Sequence, residues 1–152
     1  VARLLRALAR PAPRLRHLSL GYLWWSEASD DAAADLEASL AALVPAAGRE
    51  EGLRRLTIRY AQDQELGALD QVTAAVEGAA SGIEELCLVE CWAGDGQGLS
   101  SLADALAACT KLRRADIVGG LPAGFDEAAF SARAAPGHPE AVLFNAPDVR
   151  VW

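Results

Sequence analysis

Leucine and its near equivalents return along this chain in one recurring spacing. Leu15, Leu18 and Leu20 form a first set, Leu53, Leu56 and Ile58 a second, and Ile83, Leu86 and Leu88 a third. Leu112, Ala115 and Ile117 form a fourth, with alanine at one apolar place. The last two places of each set are separated by one residue that points the other way, the period of two expected of a strand with one face in a core. The sets begin 38, 30 and 29 residues apart. A further 29 residues reaches Ala141, where AVLFNA puts Phe144 and Ala146 in the same slots shortly before Pro147.

Between the sets the apolar period lengthens to that of a helix. Leu36, Leu40, Leu43 and Val44 mark a stripe over Asp30 to Val44, with Asp30 and Asp31 placed to cap its start. Leu69, Val72 and Val76 predict a second helix over about Glu65 to Ala80, and Leu102 and Leu106 a third over about Leu99 to Ala108. A fourth, near Asp126 to Ala135, offers Phe125 and Phe130. Residues 1–10 place Leu4, Leu5 and Leu8 on one helical face before Pro11 and Pro13 stop the run. The surplus of the longer first cycle falls in a bulge around Pro45 to Glu51, where loop growth costs little.

Strands alternating with helices predict an α/β fold with a parallel sheet and right-handed connections. The stretch from Ile83 to Cys91 reads L-x-x-L-x-L-x-x-C and leads through a glycine-rich turn into the helix before Leu112. In this it resembles the leucine-rich repeats of the ribonuclease-inhibitor-like subfamily, which run about 28 to 29 residues. The resemblance covers residues 14 to about 122, with repeats starting at about 15, 53, 83 and 112. It implies a right-handed solenoid, or horseshoe, with the parallel sheet on the concave face and helices on the convex face. Strands stack about 4.8 Å apart whereas helices need about 10 Å, so such a stack curves with the strands inside. On this reading residues 1–13 are the helix of a truncated upstream repeat, residues 123–152 a degenerate last repeat or cap, and the whole is one solenoid domain cut from a longer array.

The apolar places also define which strand residues face away from the helices. They are His17, Ser19 and Gly21; Arg55, Thr57 and Arg59; Glu85, Cys87 and Val89; and Arg114, Asp116 and Val118. With Arg16, Arg54 and Arg113 beside them, this face is expected to be moderately basic, interrupted by an acidic notch at Glu84 and Glu85. It is a candidate surface for a protein or peptide partner of acidic character. A second candidate is an aromatic rim just beyond the strands, made by Tyr22, Trp24, Tyr60 and Trp92, while Trp25 falls at an inward place.

Composition narrows the function classes. A net charge of −7 opposes general binding to nucleic acid, although residues 1–20 carry five arginines and no acid. No apolar run is long enough to cross a bilayer, and the Arg-rich start lacks the features of a secretory leader. Three cysteines do not form a disulfide framework, which points to an intracellular, cytoplasmic setting. Cys87 and Cys91, four apart with only His17 and His138 elsewhere, lack metal-ligand spacing, and no cofactor is expected. Gly94 to Gly98 precedes a helix without a following Lys-Ser/Thr, so it is a turn and no phosphate cradle. No catalytic constellation is visible. The resemblance therefore implies a non-catalytic interaction module of the adaptor, receptor-sensor or inhibitor kind. Alternatives are a GTPase-activating or other enzyme regulator, with Arg59 as its candidate arginine, and a purely structural repeat segment.

Overall fold

A computed structural model describes residues 15–21, 38, 53–59, 68–80, 82–91, 98–119 and 121–146. Five short strands form one sheet in the order β1-β2-β3-β4-β5, all parallel. They are β1 (His17–Gly21), β2 (Arg55–Arg59), β3 (Glu85–Val89), β4 (Arg114–Val118) and β5 (Val142–Phe144). Among the described residues, helix α1 (Ala68–Ala79) precedes β3, α2 (Leu99–Ala107) precedes β4, and α3 (Glu127–Ala134) with a 3-10 turn (Pro139–Ala141) precedes β5. Spatial order equals chain order, so each helix returns the chain to the next position along one growing edge.

The register explains the apolar spacing. Leu18, Leu56, Leu86, Ala115 and Val142 lie opposite one another in one row, and Leu20, Ile58, Leu88, Ile117 and Phe144 in the next. These rows, together with Leu53 and Ile83 ahead of the strands, meet Leu69, Val72 and Val76 of α1 and Leu99, Leu102 and Leu106 of α2 in one continuous core. Alanines Ala75, Ala79, Ala103, Ala105 and Ala134 fill the spaces between, and their small side chains let helix and sheet approach closely. The first predicted helix, over Asp30 to Val44, the bulge at Pro45 to Glu51, and residues 1–13 fall outside the described residues, apart from helical Ala38.

Two local devices set the ends of these elements. Gly98 is the N-cap of α2 at φ 88°, and a Cβ there would lie 3.1 Å from Leu69 Cδ2. The last glycine of the glycine-rich stretch is therefore demanded twice, by a left-handed backbone and by contact with α1. Asp126 caps α3 conventionally, its Oδ1 accepting the Ala129 N–H at 2.9 Å. On the outer side Arg133 of α3 donates from Nε and Nη2 to both oxygens of Asp104 on α2, at 2.6 and 2.7 Å, and from Nη1 to Ser100 Oγ. That fork holds the Asp104 carboxyl below its usual range.

The last strand departs from the expected slots. A spacing of 29 sets Phe144 opposite Ala115 and Ala146 opposite Ile117, whereas the observed pairs are Ala115 with Val142 and Ile117 with Phe144. The slots are occupied two residues early because the last crossover is built from an eight-residue helix and one 3-10 turn. The earlier register also seats Phe144 against Phe125 and Phe130, with ring centroids 5.8 Å from each, closing the core with a three-ring cluster. Asn145, at φ 46°, then ends the strand: its Oδ1 accepts the Gly119 N–H at 2.8 Å and its Nδ2 donates to the Gly119 carbonyl at 3.3 Å.

Candidate functional site

On the sheet face opposite the core, parallel register assembles the outward residues into three rows. His17, Arg55, Glu85 and Arg114 form the first, Ser19, Thr57, Cys87 and Asp116 the second, and Gly21, Arg59, Val89 and Val118 the third. All twelve outward strand residues thus lie on one surface. The rows differ in what they expose. Ser19 and Arg55 are exposed and His17, Arg59, Glu85 and Arg114 half-buried, while Thr57, Cys87, Val89 and Asp116 are buried. Thr57, Cys87 and Asp116 of the middle row are short, and Arg114 folds back over Asp116 with two hydrogen bonds. The side chains of this face that reach solvent are His17, Ser19, Arg55, Arg59, Glu85 and Arg114.

Charge on this face is largely paired. Arg55 Nη2 lies 3.2 Å from Glu85 Oε1, its neighbour in register. One residue earlier Arg54 Nη1 donates to Glu84 Oε1 at 2.7 Å. Arg114 turns back along β4 and grips Asp116 with two bonds, Nε to Oδ2 at 2.8 Å and Nη2 to Oδ1 at 3.0 Å. The expected acidic notch is therefore the internal counter-charge of the preceding strand, and the face is less basic than its arginines suggest. The His17 imidazole is held below its ordinary value, by burial first and then by Arg55, with Glu85 opposing.

No protein-family profile, no curated protein and no solved structure matches the chain.

The thiols have separate roles. Cys87 lies in the middle row, whereas Cys91 turns beneath β3 and donates to the Ile58 carbonyl at 3.3 Å and the Val89 carbonyl at 3.4 Å. Cys91 thus ties the turn after one strand to the backbone of the preceding one. Cys109, past the end of α2, donates to the Ala105 carbonyl at 3.4 Å. All three are buried.

Burial pushes the Cys87 thiol up to about 11, helped by the Asp116 carboxylate and opposed by Arg59 and Arg114; burial alone pushes Cys109 to about 11. A neutral thiol is a poor nucleophile, so this surface does not activate Cys87. Between about pH 9 and 11 the folded chain keeps protons that the unfolded chain has lost, so stability is flat below that window and falls as pH rises through it. Iodoacetamide at pH 8 is expected to leave Cys87 and Cys109 unlabelled in the folded chain and to label both in urea, read by mass spectrometry of the peptides. Labelling of Cys87 in the folded chain would contradict the closed middle row.

Among the described residues no three His, Cys, Asp or Glu side chains converge where a metal ion could be held. Nor is any described helix long and apolar enough to cross a membrane. Tyr22, Trp24, Tyr60 and Trp92, and the inward Trp25, lie outside the described residues. The inter-strand ion pairs were not anticipated, although a signal existed: Arg54 with Glu84 and Arg55 with Glu85 are both 30 apart, the offset between the second and third leucine sets.

Proposed function

We propose that this chain is a segment of a ribonuclease-inhibitor-like leucine-rich-repeat solenoid whose concave strand face binds a protein partner. One observation carries the reading: the outward side chains of successive parallel strands are brought into register as rows across one face, with every strand the immediate neighbour of the one before. Such rows build a broad, shallow surface, suited to another protein and ill suited to chemistry that must exclude water. Partly exposed arginines beside the buried Thr57, Cys87 and Asp116 resemble the division of labour at protein interfaces, where a few arginines anchor and the rest only fit. A protein-binding module needs no cofactor, and the protonated thiol of Cys87 offers none of the reactivity an enzyme would use.

The test is a paired substitution, Arg55→Gln with Arg59→Gln. Reversal to glutamate is a poorer choice at position 55, because it sets a second carboxylate beside Glu85. Against a partner captured with the full chain, the double glutamine variant is expected to bind at least about tenfold more weakly, since truncating interface arginines commonly costs more than about 1 kcal/mol each. Its unfolding midpoint should stay close to that of the parent, because each charge is at least partly exposed. Unchanged affinity would remove the strand face as the binding surface.

A further inference from the structure

The residue just before each strand forms its own ladder at the strand-start edge of the sheet. Arg54 N donates to the Arg16 carbonyl at 2.9 Å, Glu84 N to the Arg54 carbonyl at 2.8 Å, and Arg113 N to the Glu84 carbonyl at 2.8 Å. Side chains along this rung therefore run Arg16, Arg54, Glu84, Arg113: three cations and one carboxylate. Glu84 is flanked by an arginine on each side, and its carboxylate is taken by Arg54 at 2.7 Å. Arg113 is left over. It has no ion-pair or hydrogen-bond partner for its side chain among the described residues, and neither does Lys111 two residues earlier.

These two cations fall on the same side of the chain. Leu112 between them packs against the core at the end of a turn closed by its N–H to the Cys109 carbonyl at 2.9 Å, and its two neighbours are both exposed. They open onto a cleft of about 330 Å³ lined by Glu84, Thr110, Lys111, Leu112, Arg113 and His138. That is room for about ten waters at roughly 30 Å³ each, or for one or two acidic side chains with some of their hydration. The far wall is His138, at the start of the 3-10 turn, whose Nδ1 lies 3.5 Å from Glu140. Arg54, Arg55, Arg114 and Arg133 each pair with a carboxylate of this chain, while Lys111 and Arg113 share a concavity whose one lining carboxylate, Glu84, is already taken by Arg54.

We infer that this cleft binds the carboxylates of an acidic peptide segment, with Arg113 as a forked donor and Lys111 as a point charge beside it. Thr110 adds a hydroxyl donor at the mouth. Both cations are exposed, so the interaction is weak and salt-sensitive; a dissociation constant of about a millimolar is the right scale for two solvated charges. The inference goes beyond the strand-face reading and is located on a different edge of the sheet.

The experiment is an NMR titration of the full 152-residue chain at low ionic strength with a hexaglutamate peptide, a hexaglutamine peptide and inorganic phosphate. Hexaglutamate is expected to shift the amides of Thr110 to Arg113 and His138, with binding weakened several-fold by about 0.2 M salt. Lys111→Gln with Arg113→Gln should remove these shifts, while Arg55→Gln with Arg59→Gln should leave them in place. Equal shifts with hexaglutamine, shifts with phosphate alone, or shifts that survive the Lys111 and Arg113 changes would each overturn the inference. Because the two double variants lie on separate surfaces, loss of partner binding only in the strand-face pair sinks the cleft as part of the interface and leaves the strand face standing, and the converse separates them equally.

Discussion

Leu88→Ala is expected to destabilise the chain by about 3 to 4 kcal/mol, the upper part of the range for a buried leucine. Leu88 is fully buried in β3, the middle strand of five, opposite Ile58 on one side and Ile117 on the other. Both neighbours are pinned by backbone ladders, and α1 and α2 lie across the row, so the space left by the lost atoms has little means of closing. The same change at Leu18 should cost less than half as much, because β1 is the first described strand and Leu18 is only half-buried. Against a total stability of roughly 5 to 15 kcal/mol, the Leu88 variant sits near the point of unfolding at room temperature. Urea denaturation followed by circular dichroism measures both. Equal losses at the two positions would show that the core is not centred on β3.

Asp116→Ala comes next, with an expected loss of about 2 kcal/mol, below the roughly 3 to 5 of a fully buried pair. Asp116 is 3 % exposed and sits on the face away from the core, where its two oxygens each accept a bond from Arg114. Removing the carboxylate takes two bonds from the Arg114 guanidinium, which is 23 % exposed, and that partial access to water is why the cost stays below the buried limit. A double change, Arg114→Leu with Asp116→Leu, should cost less than Asp116→Ala alone, since neither charge is then left without the other. Cys87 supplies an independent readout. Asp116 helps to raise its thiol to about 11, so the alanine variant should titrate at lower pH, with Arg59 and Arg114 now unopposed by that carboxylate. An unmoved Cys87 titration would mean that the carboxylate and the thiol do not share the middle row.

Much of this architecture was legible because a strand has period two and the apolar set is repeated. Leu56, Leu86 and Ala115 occupy equivalent places in the sequence and the same row of the sheet. The helices over Leu99 to Ala108 and Asp126 to Ala135 match α2 and α3 to within one residue, because an apolar stripe, a glycine N-cap and an aspartate N-cap all agree locally. The last strand was less legible. AVLFNA offers two alternations that differ by a shift of two, and only the aromatic contacts of Phe144 with Phe125 and Phe130 distinguish them.

The candidate face divides in the same way. Its membership follows from alternation alone, so all twelve residues could be named in advance. Their exposure could not, since it depends on what lies two residues away along each strand and one strand across. Thr57 and Cys87 are small and lie within reach of long neighbours, which is a property of the assembled sheet. The aspartate of β4 looked like an outward charge until Arg114 was seen folding back onto it.

The chain's local chemistry, read residue by residue, determines the periods, the caps and which side of each strand is apolar, because these depend on neighbours within a few positions. Who pairs with whom was decided only by the sheet. Placing Arg55 beside Glu85 cancels charges that are 30 residues apart, and placing Arg113 after an already occupied Glu84 leaves Arg113 without a carboxylate of its own among the described residues. Electrostatic energy falls with distance in space, whatever the separation along the chain, so a list of arginines suggested a basic face and the folded sheet shows a mostly neutral one with a residual cationic cleft at its edge.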